Sequence, residues 1–324
     1  MLRAVLVASL ILGLLVPPRA VEAQQARVYR VGVILHGGSY SAALDGLRDG
    51  LKELGFEEGK QFVFHLRDTK GDLKAVEAAA KNLEAERVDL IYAVATSVTL
   101  ATKTATKAVP IVFYAGTDPV AFGLIESYRK PGGRLTGVHG QFTDLTAKRM
   151  QLLQEIVPKL RRVVTFYNPD NPAARESMKF GREAARRLKI EIVERPVASV
   201  EELRTGLRAL RTGEADAIFY VADAMVTSQS EMVIDNAMAK GLPTMYADRE
   251  SVTRGALASY GLSYYAFGRS SAKKVHRVLL GAHPGELPIE QMDRPYLVIN
   301  LKTAKALGLV IPEPVLARAD EIIR

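Results

Sequence analysis

The stretches VDLIYAVA (residues 88–95) and ADAIFYVA (residues 215–222) are one pattern written twice. Each puts an acid in second place and then runs through aliphatic, aromatic and small apolar residues without a polar break. Such a run is too short for a buried helix and suits a strand covered on both faces. The segments downstream repeat as well: AVPIVFYAGTD (108–118) and GLPTMYADRE (241–250) each reach a second apolar run through a proline and end it at a tyrosine. Two similar α/β units are therefore predicted, one in each half of the chain.

Around these anchors, short apolar runs alternate with segments of helical period. Strands are predicted at Tyr29–Ile34, Phe62–Arg67, Val88–Ala93 and Ile111–Tyr114, with helices near 41–54, 72–85 and 97–107. The pattern restarts with strands at Arg162–Tyr167, Ile190–Arg195, Ala215–Val221 and Pro243–Tyr246, and helices near 172–188, 199–211 and 226–240. Alternation of this kind produces parallel sheets with helices on both faces. Between the units, KPGGRLTGVHGQFTD (130–144) is rich in glycine and reads as a crossing segment. Residues 255–280 add a short strand and a helix surplus to the second sheet, the helix a candidate to return to the first; residues 296–312 add one more strand and helix.

Composition excludes several classes. A chain of 324 residues with 48% hydrophobic and 25% charged residues is globular and long enough for about two domains. The N-terminus reads as an export signal: Arg3, a largely apolar run from Val5 to Val16, Pro17-Pro18, and the small-x-small site Val21-Glu22-Ala23 before Gln24. That run is shorter than the ~20 residues a membrane span needs. With 0 cysteines there is neither a disulfide framework nor a lipid-modified N-terminal Cys, so a soluble periplasmic product is expected. Removing residues 1–23 takes away two arginines and one glutamate, which turns the formal charge of +8 into +7. The basic residues are scattered, as in Arg161-Arg162, Arg186-Arg187 and Lys273-Lys274, with acids between them, and no nucleic-acid reading motif accompanies them. No G-x-S-x-G elbow, G-x-G-x-x-G turn, metal-spaced histidine pair or helix-turn-helix is present.

In open parallel sheets, ligands bind beyond the carboxyl ends of the strands. Thr96-Ser97, Thr117-Asp118, Asn168, Asp223 and Asp248 all fall there. The two hydroxyls open a helix, where they would cap it or help its free N–H groups hold a carboxylate. The acids either cap helices and turns or meet a ligand ammonium. Tyr114, Tyr167, Tyr220 and Tyr246 each end a strand, as core residues or as an aromatic lining.

Several phrases together resemble a known family: RVGVILHGG, GLRDGLKELGFEEGK, GTDPVAFGLIES, KPGGRLTGV, KRMQLLQEIVP, LPTMYADRESVTRGALASYG and LVINLKTAKALGLVIP. From about residue 28 to the C-terminus the chain resembles the substrate-binding proteins of ABC transporters of the tryptophan/tyrosine-type group. The resemblance implies a periplasmic-binding-protein type I fold: two Rossmann-like lobes with parallel sheets, joined by a multi-crossing hinge, with no catalysis and no cofactor. The expected division is a signal peptide at 1–23, lobe 1 at 24–142 plus about 263–290, and lobe 2 at 143–262 plus about 291–324, with the ligand cleft between. Ligand positions implied are His36, Ser39 and Tyr40 in the first loop, then Thr96, Ser97, Thr117, Asp118, Asn168, Asp223 and Asp248; Tyr167 joins them as a strand-end aromatic. Its partners would be a small amino-acid-like or carboxylated ligand and a membrane permease with its ATPase, the protein itself being a monomer. A periplasmic sensory subunit that reports its ligand to a membrane kinase is the alternative from another class, and an enzyme on the same fold the third.

Overall fold

The computed structural model describes residues 27–324; the export signal read at 1–23 lies outside the described residues. The first unit runs β1 (Tyr29–Leu35), α1 (Ser41–Glu53), β2 (Phe62–Asp68), α2 (Leu73–Ala85), β3 (Leu90–Val94), α3 (Thr96–Ala105), β4 (Ile111–Ala115) and β5 (Leu135–His139). The second begins with α4 (Thr146–Ile156), β6 (Arg162–Tyr167), α5 (Pro172–Leu188), β7 (Glu191–Pro196), α6 (Val200–Ala209) and β8 (Ala217–Phe219). It continues with α7 (Ala224–Ser228), α8 (Ser230–Ala239), β9 (Thr244–Tyr246), α9 (Arg249–Thr253) and β10 (Ala258–Gly261). The chain then visits the first unit again with α10 (Tyr264–Leu279) and β11 (Glu290–Gln291). It ends in the second with β12 (Tyr296–Asn300), α11 (Leu301–Ala306), α12 (Glu313–Leu316) and β13 (Glu321–Ile323).

The first sheet has the order β11-β5-β4-β3-β1-β2 and the second β13-β12-β10-β9-β8-β6-β7. Read from β2 and from β7, both place their first five strands in the order 2-1-3-4-5. The echo between VDLIYAVA and ADAIFYVA thus has a structural meaning, because β3 and β8 are the third strand of each lobe. All pairings are parallel except β10 with β12. β3 and β4 are buried at every residue, as expected of central strands covered on both faces.

Two segments differ from the sequence reading. The glycine-rich stretch 130–144 holds β5, paired residue for residue with β4 from Leu135 opposite Ile111 to His139 opposite Ala115. The helix expected at 226–240 is two helices, α7 and α8, broken at Gln229.

The surplus stretch after residue 255 divides between the lobes. β10 stays in the second sheet, while α10 crosses back and packs along α1 and the first sheet. Glycine permits this helix pair: a β-carbon on Gly46 would stand 2.0 Å from the Tyr265 carbonyl oxygen, and one on Gly268 would stand 1.9 Å from that of Ala43. The chain therefore crosses between the lobes after β5, after β10 and after β11. Arg149 on α4 is 0% exposed and ties the first two crossings together, donating to the carbonyls of Phe142 (2.8 Å) and Tyr260 (3.4 Å). Burial pulls its pKa down to about 10.

Candidate functional site

In a sheet of order 2-1-3, the connections after strands 1 and 3 leave to opposite faces and open a crevice between them. Here two such crevices face each other. In the first lobe it lies between the loop after β1, which carries Tyr40, and the start of α3, which carries Thr96 and Ser97. In the second it lies between the loop after β6, with Asn171, and the loop after β8, with Ala222 and Ala224. These residues line one narrow cavity of about 30 Å³ between the lobes.

Its polar floor is the entry to α3. Ala95 precedes that helix at φ 95°, ψ 152°, a conformation that costs an L-residue about 1–3 kcal/mol. No side chain caps the helix, so its first N–H groups are left for another acceptor. The Thr96 hydroxyl meets that of Thr117 at 3.0 Å and accepts from the Gly116 N–H at 3.1 Å, which fixes both threonines at the rim of the helix. Strain of this kind held beside free amides is typical of ligand clamps.

The walls are aromatic. Tyr40, Tyr114, Phe142, Tyr220 and Tyr264 all border the cavity. Tyr264 contacts most of them: ring centroids lie 4.7 Å from Tyr40, 5.8 Å from Tyr114 and 5.9 Å from Phe142. Tyr220 stacks on Tyr246 at 5.3 Å behind the wall. The Tyr220 hydroxyl pairs with Thr227 at 2.7 Å and accepts from the Asp223 N–H at 3.1 Å, so its ring is locked in place.

Of the residues expected from sequence, Tyr40, Thr96, Ser97 and Thr117 border the cavity. Others lie behind or beside it. His36 is 1% exposed, with Nδ1 2.6 Å from the Thr69 hydroxyl, and burial lowers its pKa to about 4 against the opposing charges of Asp68 and Asp72. Ser39 lies between the lobes, 3.3 Å from the hydroxyls of Ser230 and Ser251, and accepts from Arg254 at 3.0 Å. Tyr167 is turned outward to Glu194, at 2.9 Å. Asn168 donates its backbone N–H to Asp223 and borders an outer interlobe groove with Lys70 and Asp72.

The three candidate acids act as caps. Asp223 accepts from the N–H of Val226 at the start of α7, and its other oxygen accepts from Asn168. Asp248 accepts from the N–H and hydroxyl of Ser251 in α9, while its second oxygen is buried without a partner. Burial raises the pKa of both. Asp118 accepts from the N–H groups of Val120 and Ala121 and borders a separate cavity with Asp144 and Glu176. Burial acts to raise its pKa, but the Tyr128 hydroxyl and those two amides outweigh it and hold the carboxyl below its ordinary range. Phe142 and Tyr264 are the aromatic lining residues the strand-end rule does not find. Both lie at interlobe crossings, and the only hint in the sequence is an aromatic placed just after each crossing begins.

Comparison with known proteins places this geometry. The family described as ABC transporter substrate binding protein matches residues 29–323. A tyrosine-binding protein of Clostridioides difficile is 27% identical over 271 residues, covering 84% of this chain and 78% of that one. The structure of an ABC domain in complex with L-Trp from Streptococcus pneumonia is 26% identical, with a TM-score of 0.81 over 91% of this chain and 100% of that one. The ligand-free, open structure of a substrate binding protein from Clostridium difficile is 25% identical and covers 91% of this chain and 99% of that one, with a TM-score of 0.59. At nearly equal identity, the chain superposes better on the L-Trp complex than on the ligand-free, open structure. The two-lobed architecture is that of type I periplasmic binding proteins. The chain belongs to the ABC transporter substrate binding protein family.

Proposed function

We propose that this protein is the extracytoplasmic receptor of an ABC importer, which closes on a free aromatic amino acid and delivers it to a membrane permease driven by an ATPase. The observation that carries this reading is the cavity itself: an uncapped helix N-terminus at one end and a wall of tyrosine and phenylalanine around the rest. The helix terminus offers N–H groups and a positive dipole end to a carboxylate. The rings offer face and edge contacts worth about 0.5–1.5 kcal/mol per aromatic pair beyond area burial. The named ligands of the two similar proteins, tyrosine and L-Trp, have that pair of features.

In this reading the cleft divides lobe 1, residues 24–142 with about 263–290, from lobe 2, residues 143–262 with about 291–324. Residues 1–23 direct export and are removed. Tyr40, Thr96, Ser97 and Thr117 contact the ligand, joined by Tyr114, Phe142, Asn171, Tyr220 and Tyr264; His36, Ser39, Asp223 and Asp248 support the loops that carry them. Among the described residues no helix is long and apolar enough to cross a membrane.

The test is mass spectrometry of the small molecule released from the purified protein by mild denaturation, paired with thermal-shift screening. An aromatic amino acid in the released fraction, and stabilisation by about 2.7 kcal/mol when it is added back at a hundred times its Kd, is the expected result. A sugar or a metal complex in its place would overturn the assignment.

A further inference from the structure

Resting on the proposed function, we infer that the pocket recognises the ring and the carboxylate of its ligand and not the ammonium, so that arylalkanoic and aryl α-keto acids are ligands of the same site. None of the residues that border the cavity is charged. The carboxylate has a built receptor in the α3 terminus with Thr96 and Thr117, whereas an ammonium in the same space would meet only hydroxyl, amide and carbonyl oxygens.

None of the neighbouring acids, moreover, borders the cavity. Ala222 and Ala224 border the cavity while Asp223 between them does not; it is 0% exposed, one of its oxygens caps α7 and the other accepts from the Asn168 N–H. Asp248 is also 0% exposed, with one oxygen capping α9 and the other buried without a partner outside the lining, and it does not border the cavity. Asp118 borders a different one. Removing an ammonium from water is costly unless a carboxylate meets it, and a hydrogen bond to a charged partner is about twice as strong as a neutral one. With no such partner in the lining, the amino group adds little to binding.

A buried cation behind the wall acts in the same direction. Arg149 is 0% exposed, forms no ion pair among the described residues, and holds the carbonyl of Phe142, a wall residue. A fixed positive charge there favours an anionic ligand over one carrying a cation of its own.

The test is calorimetry on protein stripped of ligand by unfolding and refolding, with L-tryptophan, L-tyrosine, their deaminated propionic acids and their carboxamides. Loss of the amino group should change Kd by less than about tenfold, the reach of a neutral hydrogen bond, while conversion of the carboxylate to an amide should weaken binding by more than about tenfold. A deaminated acid that binds more than tenfold worse than its amino acid overturns this inference and leaves the aromatic-amino-acid reading standing. If neither kind of acid binds, both fall together.

Discussion

Gly38 of the first lobe lies backbone against backbone on Ser228 of the second: a β-carbon on Gly38 would stand 2.4 Å from the Ser228 carbonyl oxygen and 2.8 Å from its Cα. Around this contact Arg254 donates to the Gly38 carbonyl at 3.2 Å and to the Ser39 hydroxyl at 3.0 Å, and Gln229 reaches the Lys70 carbonyl at 3.3 Å. This setting of the lobes therefore depends on a residue without a side chain at position 38. Gly38→Ala should act as a wedge. Small-angle scattering of the variant should show a larger radius of gyration in saturating ligand, with a Kd raised at least about tenfold, since about 1.4 kcal/mol of lost closure suffices for that. Gly213→Ala is the control, because it also places alanine at positive φ (80°) but meets nothing within 4 Å. Equal effects of the two would assign the change to backbone strain and not to docking of the lobes.

Asp118 sits at a strand end, where a ligand acid is expected, yet its carboxylate closes the turn into Val120 and Ala121. Asp118→Ala should lower the melting temperature of the ligand-free protein by the equivalent of about 1 kcal/mol, the usual worth of a cap, and leave ligand affinity unchanged. Calorimetry showing weakened binding at unchanged apo stability would return Asp118 to the ligand site.

Protonation of His36 sets a pH limit on the fold. Its folded pKa of about 4 lies below the ordinary value of 6.5, so between these values the unfolded chain takes up a proton that the folded one refuses. The associated stability is complete above pH 6.5 and is lost as pH falls toward 4, by about 3 kcal/mol in full. Glu250 works in the opposite sense: burial, and then the charge of Asp248, raise its pKa to about 7, so its contribution fades as pH rises from the ordinary 4.5 toward that value. In melting curves across this window, His36→Gln should flatten the acid-side decline, whereas Glu250→Gln should steepen it. A decline unchanged in His36→Gln would remove His36 as its source.

Strands such as β1, β3, β4 and β6 were legible in the sequence because they are buried on both faces, so burial itself wrote the apolar runs that reveal them. β5 is just as buried, but it lies among glycines that read as a loop. Gly137 is there because a side chain would meet Phe113, with a β-carbon 2.2 Å from its carbonyl oxygen, a tertiary demand that no local pattern announces. The ligand cavity divides in the same way. Thr96, Ser97 and Thr117 follow from strand ends and a helix start, which are local features. Tyr264 and Phe142 reach the cavity only because the chain crosses between lobes beside it, and that placement exists only once both sheets are assembled. Ala95 could not be singled out either, since nothing about an alanine announces a φ of 95°.

The chain has 0 tryptophans, which makes the decisive experiment direct. L-Tryptophan excited at the red edge of indole absorption is the only fluorophore in a mixture with the ligand-stripped protein, so its emission reports its own surroundings. An aromatic-amino-acid receptor should give a blue-shifted, saturable signal with one site per chain, reversed by excess L-tyrosine and weakened in Tyr264→Ala. Emission that stays that of free tryptophan at every protein concentration, with L-tyrosine equally unable to raise the melting temperature, would contradict the proposed function.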